Sequence, residues 1–156
     1  MDQMATRTPP VPDLAEYADE HLVYEAQMFV YAKSLSPSPQ DRLGQSVAVE
    51  LTALHFRNLL DFFYPGNPKP DDVVATDYVA DWEQRRPIIT IDLQSARTRA
   101  NKEVAHLTAQ RIAGIATGKA WHASHLGDLL RPVVAAFLAA PNPHLSNKTQ
   151  VCLKQI

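Results

Sequence analysis

The sequence has very little cysteine and no long hydrophobic run. Cys152 is the only cysteine, so no disulfide can form within the chain. The longest nearly uninterrupted apolar run, from Pro132 to Pro141, has about half of the roughly 20 residues that a membrane span needs. The N-terminus also lacks the apolar segment of a secretory signal. We therefore expect a cytoplasmic protein without a membrane segment.

Neither sign of charge dominates the sequence. The formal net charge is -2, which gives no overall basic signature for binding nucleic acid, so any contact with RNA must come from a local patch. Hydrophobic residues make up 46% of the 156 residues, which is ordinary for a globular protein and enough for a core without disulfides or metals. One domain is the expectation from this length.

Prolines divide the chain into segments whose apolar residues recur at helical spacing, and no segment alternates convincingly at the period of a strand. Four long helices are predicted, from Asp13 to about Leu35, from Gln40 to Tyr64, from about Asp92 to Ile112, and from Trp121 to Ala140. A shorter helix begins at Asp71 or Asp72 and ends before the RRP sequence at 85–87. The predicted fold is all-α, an up-and-down helical bundle of four long helices plus one short helix. Residues 1–12 are a flexible leader, 13–140 a single helical domain and 141–156 a flexible tail.

Several charged side chains fall on apolar helical faces. At about 100° per residue, Arg97 and Arg111 lie within the arc of an apolar stripe on the fourth predicted helix in chain order. The second helix carries a matching set beside its own apolar residues, namely Glu50, Arg57, Asn58 and Asp61. Buried charges persist only when they are paired, so we expect Glu50 or Asp61 to meet Arg97 or Arg111. Such a network is either structural, fixing how the helices pack, or the lining of a half-open polar cleft.

Arg99 and His106 flank the apolar stripe of the same helix and are a candidate catalytic pair. A histidine can titrate near neutral pH and exchange protons, and a neighbouring arginine can hold a phosphate. The pair would suit metal-free cleavage of RNA, with Asn101 and Lys102 as candidate substrate-binding residues. Two turns separate Arg99 and His106 by about 10 Å of rise, so a symmetric homodimer is the simplest way to bring both to one phosphate. Alternatively, both side chains belong to a solvated helix face.

Two stretches of sequence resemble the HEPN superfamily: VELTALHFRNLLDFFY at 49–64 and SARTRANKEVAHLTAQR at 95–111. Ribonucleases of that superfamily carry an arginine, four to six residues, and then a histidine near the start of a late helix. Six residues separate Arg99 from His106, while Ala100 stands where that pattern usually has a polar residue. The resemblance implies a HEPN-like helical domain that cleaves RNA without a cofactor, as in abortive infection during phage defence or in a stress response. The alternative is a noncatalytic helical binding or scaffold module.

A metal site is a rival interpretation of the histidines. His122, His125 and Asp128 share one helical face, and His21 and His55 could complete a site across helices. Histidines spaced this way are common at helix starts, and no cysteine pair or HExxH motif accompanies them. We therefore expect no bound metal.

Overall fold

The computed structural model describes residues 8–104 and 122–156. Within these ranges every regular element is a helix, which confirms the predicted all-α class. The helices are, in chain order, α1 (α-helical at Leu14–Tyr17 and Val23–Ser34, with a π-helical turn at Ala18–Leu22 between them), α2 (Arg42–Phe63), α3 (Ala75–Tyr78), α4 (Trp82–Arg85), α5 (Ile91–Arg99, continued by a π-helical turn at Ala100–Val104), α6 (Ala123–Ala139) and α7 (Asn147–Leu153). No helix in the described part of the chain is long and apolar enough to cross a membrane.

Side-chain caps fix where the two longest helices begin. The Asp13 carboxylate accepts a hydrogen bond from the backbone N–H of Glu16 at 2.9 Å. The Asp41 carboxylate accepts one from Gly44 N–H at 2.8 Å. Each contact satisfies an N–H group that the first turn of a helix leaves without a partner. The helix start predicted at Asp13 therefore has a direct physical cause.

The core is organised around a cluster of five buried aromatic rings. The ring centre of Phe137 in α6 lies 5.3 Å from those of Phe63 and Trp82, 5.6 Å from that of Phe62 and 6.2 Å from that of Tyr78. All four ring pairs meet edge to face, the arrangement that aromatic quadrupoles favour. The cluster joins α2, α3, α4 and α6 at one point.

The region predicted as one short helix contains two, α3 and α4. Val79 ends α3 with extended backbone angles of φ -129° and ψ 101°. The Tyr78 hydroxyl donates to the Leu14 carbonyl at 2.9 Å, and the Trp82 indole N–H donates to the Phe63 carbonyl at 2.7 Å. Both contacts join residues that are far apart in sequence, and the spacing of apolar residues within one segment carries no information about such contacts. The break between α3 and α4 was therefore not predicted.

The segment predicted as a flexible tail packs against the core instead. It forms α7, whose Cys152 and Leu153 are buried, and Ile156 after the helix is also buried. The predicted leader is corrected in part too, because Val11 packs against the core, whereas residues 1–7 lie outside the described ranges. A helix of seven residues is too short to reveal a convincing periodic pattern, so the proline-rich approach to it suggested a tail.

Asp19, in the π-helical turn of α1, holds α7 in place. Its carboxylate accepts hydrogen bonds from the Ser146 and Thr149 hydroxyls, the latter at 2.6 Å, and its backbone carbonyl accepts one from Lys148 Nζ at 2.8 Å. Ser146 also caps α7 by accepting from Thr149 N–H. The start of α7 is thus fastened to α1 by three polar contacts.

Replacing Asp19 with alanine should loosen α7 while leaving the aromatic core intact. Amide hydrogen exchange of the peptide containing α7 should become faster than in the parent protein. Glu20→Ala is the matched control, because Glu20 is exposed and makes none of these contacts. Equal exchange of α7 in Asp19→Ala and the parent would contradict this assignment.

The same contact should depend on pH. Hydrogen bonds from Ser146 and Thr149 hold the pKa of Asp19 below its usual value of 3.8. A lowered pKa in the folded protein means that the stabilisation is fully present above the unfolded value and is lost as the pH falls through the lowered one. The difference in exchange between the parent and Asp19→Ala should therefore persist at neutral pH and disappear in strong acid.

Candidate functional site

Of the two residues in the predicted catalytic pair, Arg99 lies in the part of the chain that the structure describes. Arg99 is the last residue of α5 and is half-buried, while Asn101 is half-buried and Lys102 exposed in the π-helical turn that follows. His106 lies outside the described residues, so its distance from Arg99 stays a prediction. The basic character of the segment is clear from its sequence, since 97–102 holds three cationic side chains and no carboxylate.

The π-helical turn at Ala100–Val104 follows Arg99 directly. Hydrogen bonds from i to i+5 place more residues in each turn than those of an α-helix. The prediction of two turns between Arg99 and His106 assumed regular α-helical spacing, which Ala100–Val104 does not have. Single π-helical turns inserted in α-helices are frequent at functional sites.

The predicted charge network appears between α2 and α5. Arg97 Nη2 donates to Asp61 Oδ1 at 2.5 Å, and Arg57 Nε lies 3.6 Å from Asp61 Oδ2. The side chains of Arg97 and Asp61 are 27% and 41% exposed, so the pair is less buried than the helical-face argument predicted. Glu50 is exposed and does not join this pair, and Arg111 lies outside the described residues.

A cleft of about 650 Å³ opens beside this charge pair. Four residues of the predicted network are part of its lining, namely Arg57, Asn58, Asp61 and Arg97. We call it the α1–α2 cleft; its lining includes residues from both helices, from the loop after α2 and from α5, among them Tyr17, His21, Tyr24, Glu25, Arg57, Asn58, Asp61, Phe62, Lys69, Asp71, Asp72 and Arg97.

The Glu25 carboxylate in the α1–α2 cleft is held by two side chains of α2. Its Oε2 lies 2.7 Å from Nδ1 of the buried His55, and Asn58 Nδ2 donates to both carboxylate oxygens at 3.2 Å. Tyr24 packs edge-on against His55 with ring centres 5.8 Å apart. Sequence reasoning did not single out Glu25, because its role depends on how α1 packs against α2 and no pattern within α1 marks it.

The environment of the α1–α2 cleft disfavours ionisation of one phenol. Burial raises the pKa of Tyr17, and the carboxylates of Glu25 and Asp72 raise it further. A protonated tyrosine hydroxyl can both donate and accept hydrogen bonds. A fixed carboxylate, a neutral phenol and an arginine–aspartate pair together can hold a polar ligand.

The residues of the rival metal site do not come together. Asp128 pairs with Arg131 at 2.8 Å, while His122 and His125 are exposed. His55 is engaged with Glu25. No group of three or more potential ligand side chains that could hold a metal occurs in residues 8–104 and 122–156.

No protein-family model, curated protein or solved structure matches this chain.

The pairing of Arg97 with Asp61 can be measured as a stability difference. Arg97→Ala and Asp61→Ala should each lower the free energy of unfolding by about 1 kcal/mol, since a partly exposed charge-assisted contact contributes less than a buried one. The double variant should lose less than the sum of the two single variants. Urea denaturation measures this, with Glu83→Ala on the exposed surface as the control. Strictly additive losses would show that the pair contributes nothing.

Proposed function

We propose that this protein is a HEPN-like helical protein that cleaves RNA without a metal ion. The observation that carries the proposal is the basic segment 97–102, which combines Arg99 and Lys102 with a π-helical turn at the surface of α5. Cationic side chains on a helix suit a phosphate backbone. The proposal includes the up-and-down bundle of four long helices, a cytoplasmic location and a role in phage defence or stress response.

His106 would act as the general base on a ribose 2′-hydroxyl and as the general acid for the leaving group. The 2′-oxygen forms a bond to phosphorus, the bond from phosphorus to the 5′-oxygen breaks, and the departing oxygen takes up a proton. Arg99, with Lys102 and Asn101 beside it, would bind the phosphate and neutralise the charge that develops on it. The products are a 2′,3′-cyclic phosphate and a 5′-hydroxyl, with no water consumed.

A second subunit is part of this proposal. Six residues separate Arg99 from His106. If the two lie about two turns apart on one helix, their side chains are too far apart for both to contact one phosphate. A homodimer would let one copy supply the arginine and the other the histidine.

The second candidate is a noncatalytic helical binding module. It is favoured by the α1–α2 cleft, where His55 and Asn58 fix the Glu25 carboxylate beside Tyr17. A preorganised cleft with a few convergent polar groups is typical of a ligand site. If the protein is such a binding module, a polar small molecule that binds the cleft should raise the melting temperature of the parent protein. It should not raise that of Glu25→Ala, because this variant lacks the carboxylate that the ligand would contact.

The endonuclease proposal is tested with purified protein and single-stranded RNA in the presence of a chelator. Cleavage should proceed and leave 2′,3′-cyclic phosphate ends. His106→Ala and Arg99→Ala should each lower the rate by about 10²-fold or more, because each removes a group that acts in the transition state. Their melting temperatures should stay close to that of the parent.

Two exposed residues away from this segment serve as controls, and His122→Ala and Arg85→Ala should leave the rate unchanged. Undiminished cleavage by His106→Ala would remove His106 from the mechanism. If the parent protein cleaves no RNA, the noncatalytic module is the better account.

A further inference from the structure

The α1–α2 cleft carries charged groups of both signs on different elements of its wall. Glu25 belongs to α1, whereas Arg57 on α2 and Arg97 on α5 flank Asp61. A charged side chain is available to a ligand to the extent that the protein leaves its charge and its hydrogen-bonding capacity unused. The Glu25 part and the arginine part of the wall differ in the sign of the charge that is left.

The Glu25 carboxylate has acceptor capacity that the protein does not use. Its Oε2 lies 2.7 Å from His55 Nδ1, and Asn58 Nδ2 lies 3.2 Å from both oxygens. Asn58 is neutral, and a neutral imidazole can donate from Nδ1 without bringing a charge. Among the described residues Oε1 accepts only from Asn58, although a carboxylate oxygen has two lone pairs. The Glu25 side chain is 25% exposed, so a donor in the cleft can reach it.

The two guanidinium groups of the arginine part share a single carboxylate. Arg97 Nη2 donates to Asp61 Oδ1 at 2.5 Å, and Arg57 Nε lies 3.6 Å from Asp61 Oδ2. Neither arginine has a second carboxylate partner within residues 8–104 and 122–156, and Arg57 Nε has no hydrogen-bond acceptor there. Two positive charges against one negative charge leave this part of the wall net positive, which suits an anionic group on a ligand.

Aromatic rings provide a third kind of surface in the cleft. The Tyr17 and His21 rings pack with centres 4.6 Å apart, and Tyr24 is 51% exposed. Phe62 of α2 also belongs to the lining. Aromatic rings pack favourably against another ring and attract a cation to their faces. A ligand with a charged end and an aromatic end therefore matches this wall.

The negative and positive parts of the wall are close together. Asn58, which holds Glu25, precedes Asp61 by three residues on α2, about 4.5 Å along the helix axis. Arg57 is the neighbour of Asn58 in sequence. A ligand that contacts both parts at once must carry its own opposite charges only a few bonds apart. An α-amino acid meets this condition, because its ammonium and carboxylate groups are attached to one carbon atom.

We propose that the α1–α2 cleft binds a free α-amino acid with an aromatic side chain. The ammonium group donates to Glu25 Oε1, the carboxylate accepts from Arg57 and Arg97, and the ligand's ring packs against the aromatic lining. A ligand with a charge of only one sign would leave one part of the wall without a counterpart. The inference rests on the second candidate function, the binding module, and does not depend on RNA cleavage.

Isothermal titration calorimetry of the full chain with three related probes tests the ligand class. Phenylalanine carries both charges at neutral pH, phenylethylamine lacks the carboxylate, and phenylpropionate lacks the ammonium group. Titration to about 5 mM detects dissociation constants in the millimolar range. Phenylalanine should bind about tenfold or more tightly than either of the other probes, because each of those loses a charge-assisted contact.

Two variants assign the ends of the ligand. Glu25→Gln should weaken binding of phenylalanine about tenfold or more, and Arg57→Gln should do the same because it leaves one guanidinium group for Asp61. Glu25→Gln should leave the affinity for phenylpropionate unchanged, and Arg57→Gln that for phenylethylamine. Glu20→Gln is the matched control, because the Glu20 side chain is 67% exposed and does not line the cleft. Melting temperatures without ligand show whether each variant folds, and the comparison of probes in the parent needs no variant.

Several results would overturn the inference. Phenylethylamine or phenylpropionate binding as tightly as phenylalanine would show that one charge suffices, and undiminished binding by a folded Glu25→Gln would remove that carboxylate from the site. Binding of none of the three probes would overturn it as well. In that case another polar compound that raises the melting temperature of the parent, and not that of Glu25→Ala, would still support the binding module. Phenylalanine binding by a parent that cleaves no RNA would support this inference and contradict the endonuclease proposal.

Discussion

The packing of Phe137 among four other aromatic rings is the contact on which the rest of the fold depends. Phe137 brings α6 against α2, while Tyr78 and Trp82 attach the two short helices to the same point. Trp82 and Tyr78 also donate hydrogen bonds to backbone carbonyls, so their polar atoms are satisfied as the rings are buried. Burying large rings in one cluster gives a chain of this size a core that needs no disulfide.

With one end of α2 fixed in that cluster, its remaining faces are available for interactions. One side meets α1, where Glu25 contacts His55 and Asn58 and the α1–α2 cleft opens. The other side carries the exposed Val47 and Leu54 and faces Ala100 at the start of the π-helical turn. The segment proposed to bind RNA therefore lies next to this side of α2.

Local patterns predicted the features that a single helix determines. The start of α1 after Asp13 follows from the preference of aspartate for capping a helix. The facing positions of Asp61 and Arg97 follow from where each side chain lies around the axis of its own helix, at about 100° per residue. Features that depend on packing between helices were missed, such as the role of Glu25 and the helix formed by the last residues. The π-helical turn after Arg99 was also missed, because α-helical spacing was assumed throughout and no residue there, neither proline nor glycine, marks the change.

The dependence of the fold on the aromatic cluster can be measured by urea denaturation of Phe137→Ala beside Tyr31→Ala. Phe137 is fully buried and Tyr31 is 56% exposed, so the two variants lose a ring from the core and from the surface, respectively. Phe137→Ala should lower the free energy of unfolding by about 3–5 kcal/mol through lost burial and the cavity left behind, and Tyr31→Ala by far less. Similar losses for the two variants would contradict the central place given to Phe137.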